Sequence, residues 1–477
     1  MNFIEDNIVF KNFAEISKIP RESGSEKAVS DYLASRAREL GFDAEQDELC
    51  NLIIRKPASP GLEKRDAVIL QAHMDMVCEK RPGSSHDFSK DPIQLELDGD
   101  WLRAKDTTLG ADNGIGVAIA MSILESQDAK HPPLEVVFTV CEETDFSGAV
   151  NINKSGLRAT RMINLDHACE TELIVGSCGG SGVRFEMPVS RRSALPPGFK
   201  PYRLSISGLT GGHSGEDIHR GRASAVMLAL RLAEMTGLPL VSIDGGSSRL
   251  AIPRDASAVI LSDDEDKLKK TVSNAEAVFR TEFAAESELA IKIDADPGID
   301  NNRALPLDAE SLLRLRTLLR SYPNGIVRMF DTMEGIVESS DNIGIIETRP
   351  DSIYLESEVR GGWQSSVDDI LCAIYALADL LNAGVETFAP YPPWSSKKDS
   401  ALKTIALDTY ERMTGQSMIP IAVHAGLECG FFAASNPGMD IIAIGPNCQN
   451  FHSPEERVSI SSALRLYNFL TELLAEL

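Results

Sequence analysis

Apolar residues recur at helical spacing from Glu5 to Leu40, with a break at Ile19-Pro20. That spacing predicts two helices joined by the loop PRESGSE. Between Ala67 and Asp166 the pattern changes to continuous apolar runs, AVILQAHM, LEVVFTVC and RMINLD, with a helical stretch from Asn113 to Ser126 among them. Strands buried on both faces and alternating with helices predict a mostly parallel α/β sheet. The run MDIIAIGP, followed by a closing helix from about Ser461, continues the arrangement near the C-terminal end.

Residues from about 190 to 390 have another texture. YRLSISGL, an amphipathic stretch from Ala223 to Met235, SAVILS, a stretch from Glu265 to Phe283, and LAIKID read as β–α–β–β–α–β. IVRMFDTM, IGIIETRP, SIYLESEV and the helical VDDILCAIYALADLLNA suggest a second, related half. Pro-rich segments at RRSALPPGFKP (191–201) and FAPYPPWSS (388–396) mark the expected boundaries. The expected fold class is therefore α/β: a mostly parallel-sheet domain of residues 1–190 plus 392–477, with an inserted α+β domain at 191–391. A chain of 477 residues exceeds what one hydrophobic core usually supports, which agrees with two domains.

Charge narrows the partners. With 47 basic and 71 acidic residues the net charge is −24, which repels phosphate backbones and anionic membranes. No nucleic-acid or membrane partner is expected. The eight cysteines are scattered without a CxxC pair, as for reduced thiols rather than a disulfide framework. Cys141, beside two glutamates, reads as a small buried filler rather than a nucleophile. The first twenty residues lack the apolar core of a signal peptide, so a cytoplasmic location is expected.

The candidate chemistry lies where the apolar runs end. LQAHMDMV carries His73 and Asp75, LGADNGIG carries Asp112, FTVCEETDFSGA carries Glu142 and Glu143, MINLDHA carries Asp166, and QNFHSPEE carries His452. In an open α/β sheet the C-terminal edge of the strands is where sites form. Carboxylates gathered there could not all stay ionised without cations to offset them. His73 and Asp75, two apart on a strand, share a face, so the carboxylate could fix the imidazole tautomer. Asp112 could bridge two cations or simply cap a helix. Of Glu142 and Glu143, one could ligate metal and the other serve as general base. Two imidazoles and three carboxylates around two divalent ions leave a net positive charge, suited to polarising a carbonyl. In GLTGGHSGEDIHRGRASA, His213 could donate to a developing oxyanion or be a turn histidine, while His219 reads as structural. His167 is expected to point away from the site, and His86 and His131 carry no signal.

The ordered set HxD, DN-G, EE, NLD, HSG and a late His resembles the di-zinc aminoacylase and dipeptidase superfamily. The likeness is closest to the aminoacyl-histidine dipeptidases, the bacterial peptidase D group. It extends through EISKIPRESGSEKAVSDYL, ELIVGSCGG, HSGEDIHRGRASA, HAGLECG and FHSPEERV. The resemblance implies a zinc-peptidase catalytic domain with a lid insert that also serves for dimerisation. It implies that Asp112 bridges two metal ions, with His73 and Asp166 on one and Glu143 and His452 on the other. Glu142 becomes the general base toward zinc-bound hydroxide, and Asp75 orients His73. His213 approaches the scissile carbonyl, and His424, Arg360 and Asn342 contact the substrate. Two zinc ions are implied, with cobalt or manganese as alternatives.

The reading is then a metallopeptidase cleaving short unblocked peptides, most simply dipeptides of the Xaa-His type, and forming a homodimer through the lid. An N-acyl amino acid amidohydrolase of the same superfamily, or a non-catalytic peptide-binding protein, are the alternatives. The general base argues against the last, because a receptor has no need of one.

Overall fold

The computed structural model describes residues 6–194, 197–295, 305–331, 333–395, 397 and 399–477. Glu5 at the head of the first predicted helix, Leu195 and Pro196 in the first Pro-rich segment and Ser396 in the second lie outside the described residues. The chain divides into two compact units. The first comprises Met1–Ser177, Trp394–Ala422 and Leu427–Leu477, and the second comprises Cys178–Pro393 and Val423–Gly426.

The first unit is built on an eight-stranded mixed sheet. Its middle is parallel: Leu134–Thr139, Val68–His73, Arg161–Asn164 and Asp440–Ala443 lie side by side in that order. Leu52–Lys56 pairs antiparallel beside Leu134–Thr139, and Asp43–Gln46 extends that edge. Every residue of Val68–His73 and Leu134–Thr139 is buried, which is why both read as predominantly apolar runs. Helix Ala111–Glu125 packs on the sheet and contacts helix Ile8–Ile16, and helix Ile460–Glu476 contacts both. Helix Ala111–Glu125 is apolar on nearly all sides and almost wholly buried, as a helix at the centre of a core must be. A small antiparallel sheet, Cys448–Gln449, Arg457–Ser459, Trp101–Ala104 and Leu95–Asp98, holds the loop of His452 at the tip of a hairpin.

In the second unit the β–α–β–β–α–β order is seen twice, but IVRMFDTM does not supply a strand of the second copy as expected: Gly325–Met329 lies off the main strand path, paired with Val337–Thr348. Strand Lys200–Ser207, helix Ala225–Thr236, strands Leu240–Gly245 and Ala256–Ser262, helix Glu265–Glu282 and strand Ala290–Ala295 form one copy. The other is interrupted. Its first strand, Gly179–Pro188, precedes the first copy, and it resumes with helix Ala309–Ser321, strands Val337–Thr348 and Ser352–Gly361, helix Gln364–Leu381 and strand Gly384–Tyr391. In each copy the first and third strands are central, and the two sheets join edge to edge where Gly245 pairs with Ile346. The Pro-rich segment at 388–396 differs from the loop expected, because its first residues complete strand Gly384–Tyr391. That strand lies at the sheet edge, and its register shifts between Phe388 and Tyr391, which accommodates Pro390. No helix among the described residues is long and apolar enough to cross a membrane.

Candidate metal centre

The candidate ligands of the first unit sit at or just beyond the ends of the elements that aim them. His73 ends its strand, Asp166 follows Asn164 by two residues, and Glu142 and Glu143 come three and four residues after Thr139. Cys141, with φ of 54°, turns the chain so that the next two amides face back. Those amides donate to Asp75, from Glu142 N to Oδ1 and from Glu143 N to Oδ2, each at 3.1 Å. Asp75 is fully buried; its Oδ2 also accepts from Ser23 Oγ, and its Oδ1 lies 3.3 Å from His73 Nδ1. It thus holds the backbone of the Glu142–Glu143 turn beside His73.

The donors converge. His73 Nε2 lies 3.1 Å from Asp112 Oδ1 and 3.9 Å from Asp166 Oδ1. His452 Nε2 lies 3.0 Å from Glu143 Oε1 and 3.6 Å from Asp112 Oδ2. Ligand atoms of His73, Asp112 and Glu143 are all within 4.8 Å of one another. Mixed nitrogen and carboxylate donors at these separations suit a divalent transition metal. His167 instead pairs with Glu172 at 3.0 Å. The Cys141 thiol is pushed up by burial, so it is not an activated thiolate.

In the second unit, His213 Nδ1 accepts backbone N–H bonds from Gly215 and Glu216 at 3.3 and 3.1 Å, which places the ring proton on Nε2. His424 Nε2 is 2.7 Å from Ser340 Oγ, and burial, with the charges of Arg360 and His213, lowers its pKa to about 3. A Cβ on Gly215 would lie 2.1 Å from the His424 carbonyl oxygen, so only glycine allows that approach. Buried Arg360 donates to Tyr391 Oη at 2.9 Å and to Ser214 Oγ at 3.2 Å. Asn342 gives both amide hydrogens to the carbonyls of Arg249 and Ala251.

Comparison with known proteins decides the family. The model of peptidase family M20/M25/M40 matches residues 69–476. The chain belongs to that family. It is 38% identical to the cytosol non-specific dipeptidase of Escherichia coli over 472 residues, covering 98% of this chain and 96% of that one. The crystal structure of an aminoacylhistidine dipeptidase from Vibrio alginolyticus is similar at a TM-score of 0.85 and 36% identity, over 98% and 96% of the two chains. A tripeptidase from Staphylococcus aureus shares the fold at a TM-score of 0.59 and 16% identity, over 98% and 97%.

Within this family member, several supporting residues are invisible to sequence reasoning. Glu456 is buried, and its carboxylate accepts from the backbone N–H groups of Leu109, Gly110, Ala111 and Asp112 at 2.7–3.2 Å. It thereby holds the loop that presents Asp112. Buried Arg21 donates to the carbonyls of Met74, Asp75 and Gly110, tying the His73 strand end to the same loop. Both residues lie inside segments that resemble the family, IPRESGSE and FHSPEERV, yet neither position announces burial.

The electrostatics show what bound cations would offset. Burial first, and then neighbouring carboxylates, push Glu142, Glu143 and Asp166 above the usual carboxylate range. Burial opposes the His73 imidazolium, but Asp112 and Asp75 hold its pKa well above the usual value. The neighbouring carboxylates of Asp112 and Glu143 raise His452 to about 10. A raised carboxylate penalises the folded state increasingly as pH climbs from the unfolded value, about 4, through the folded one. A raised histidine stabilises fully below its unfolded pKa, and that stabilisation is lost as pH rises through the folded one. Both slopes have the same sign. Asp75 and Asp112, whose pKa values are depressed, oppose them only under acid conditions. Metal-free protein is therefore expected to melt several degrees lower at pH of about 9 than at about 6. Metal displaces the same protons, so metal-loaded protein should melt at nearly one temperature across that range. Calorimetry of both forms checks this; equal slopes would remove the proton–metal exchange.

Proposed function

We propose that the protein is a metal-dependent dipeptidase, hydrolysing short unblocked peptides that include Xaa-His dipeptides. The observation that carries this reading is the placement of Asp112 between two imidazoles, one on each carboxylate oxygen, with Glu143 and Asp166 beside them. His73 and Asp166 would hold one divalent ion, Glu143 and His452 a second, with Asp112 shared and zinc the metal. Such ions, when bound, polarise a carbonyl and lower the pKa of water. Membership of a peptidase family and the names of the two nearer relatives support the substrate class. A cytoplasmic location belongs to the same reading.

The chain's own groups supply the proton transfers. Glu142 is drawn high in pKa by burial and by Glu143 and Asp166, so a proton it takes is readily held. It removes a proton from the attacking water and delivers it to the leaving amine as the C–N bond breaks. Asp75 keeps His73 oriented and the Glu142 amide in place. His213, protonated at Nε2, has the tautomer needed to donate to a developing oxyanion, and Arg360 carries the charge needed for a peptide carboxylate.

Hydrolysis of Xaa-His, β-Ala-His, Ala-Ala, a tripeptide and an N-acetyl amino acid, with chelator and with added zinc, tests the proposal. Chelator-sensitive cleavage of the unblocked dipeptides is expected. Cleavage of the acetylated compound alone would move the protein to the amidohydrolases. No cleavage by metal-loaded protein would leave a peptide receptor.

A further inference from the structure

Below the candidate ligands runs a chain of buried polar side chains that the proposed reaction does not use. Glu428, 1% exposed, accepts through Oε2 from Gln71 Nε2 and from Thr139 Oγ1, the latter at 2.6 Å. Gln71 Oε1 in turn accepts from Asn164 Nδ2 at 2.5 Å, and Asn164 Oδ1 accepts from the backbone N–H of Asp166 at 3.0 Å. Gln71, Thr139 and Asn164 are completely buried. Polar groups in the middle of a parallel sheet are costly unless paired, so this network has one satisfied arrangement and few others.

The three residues occupy three adjacent strands. Gln71 is two positions before His73 on the same face, Thr139 is the register partner of His73, and Asn164 is the register partner of Gln71. From those strand ends extend His73, the Glu142–Glu143 turn and Asp166. We infer that Glu428 is a positioning residue, which sets the spacing of the metal-holding side chains by tying these three strand ends through Gln71 and Thr139. The inference rests on the metal-centre reading above. Glu428 Oε1 is buried with no hydrogen-bond partner, so the second oxygen is not what the network needs.

That asymmetry makes the test specific. Glu428→Gln keeps one carbonyl oxygen to accept from both donors, whereas Glu428→Ala removes the acceptor. Zinc affinity is measured by competition with a chromophoric chelator, and ligand geometry by the visible spectrum of the cobalt-substituted protein. Glu428→Ala is expected to lower zinc affinity about 10–100-fold, the range seen for groups that orient ligands, and to alter the cobalt bands. Glu428→Gln should stay within about threefold of the parent. Gln71→Met, which leaves Glu428 in place, should reproduce the loss, and its effect should not add to that of Glu428→Ala. Should Glu428→Ala fail to fold, Gln71→Met against Glu428→Gln carries the comparison. Unchanged affinity in Glu428→Ala and Gln71→Met would overturn the inference, as would equal loss in Glu428→Gln, which would mean that charge alone matters. A parent protein that binds no zinc would sink the metal reading and this one together; a parent that binds zinc without cleaving peptides would sink only the proposed reaction.

Discussion

Glu142→Ala is expected to lower turnover by about three orders of magnitude while metal content and substrate affinity stay near the parent values. Glu142 makes no close contact with His73 or His452, unlike Glu143, whose Oε1 is 3.0 Å from His452 Nε2. The backbone of the Glu142–Glu143 turn is held by Asp75 through amide hydrogens, which alanine retains, so the ligand beside it should not move. What disappears is the carboxyl proposed to carry a proton between water and amine. Metal analysis, substrate binding by calorimetry and single-turnover rates separate the three quantities. Retained turnover would remove the role of general base, and a loss of metal would make Glu142 a ligand instead.

Parts of this site are legible in the amino-acid sequence alone, for a physical reason. A parallel strand buried on both faces is predominantly apolar, so a His, Asp or Glu at the end of such a run stands out. That contrast marks His73, Asp166 and the glutamate pair, and helix Ala111–Glu125 begins within two residues of the expected start. The supporting groups give no such contrast. Glu456 and Arg21 lie in polar loop sequences and Glu428 just before the short helix Cys429–Ser435, where burial is decided by neighbours far away in the chain. Strand Gly179–Pro188 escapes a reading of the sequence for the opposite reason. Its GGSG start reads as a loop, yet Gly180 is tightly packed, with a Cβ there falling 2.3 Å from the Val359 carbonyl oxygen. Asp43–Gln46, all polar or small and partly exposed at a sheet edge, has no periodicity to read.

Asp112→Ala should have the largest effect of any single substitution in the first unit, because one carboxylate faces both imidazoles. Its Oδ1 is 3.1 Å from His73 and its Oδ2 is 3.6 Å from His452. The residue heads helix Ala111–Glu125 with non-helical angles, φ −82° and ψ 111°, so its side chain leaves the helix axis toward the other donors. Four amides bound to Glu456 keep that turn in place, and alanine would not disturb them. Removing the carboxylate strips a shared ligand from each candidate ion, whereas loss of any other donor affects one. Metal content is expected to fall from two per chain toward none, and hydrolysis by about four orders of magnitude or more, several kcal/mol of transition-state stabilisation. Stability of the metal-free protein should change little. The hydrogen bond to His73 and the ion pair with His452 are lost, but Glu143 and Asp166 are relieved of a neighbouring negative charge. Asp112→Asn, which keeps the shape and one strong acceptor, should retain one ion. Metal-to-protein ratios after gel filtration, read beside melting temperatures without metal, distinguish these outcomes. One tightly held zinc in Asp112→Ala would show that this carboxylate serves a single ion, and the bridging role would fall.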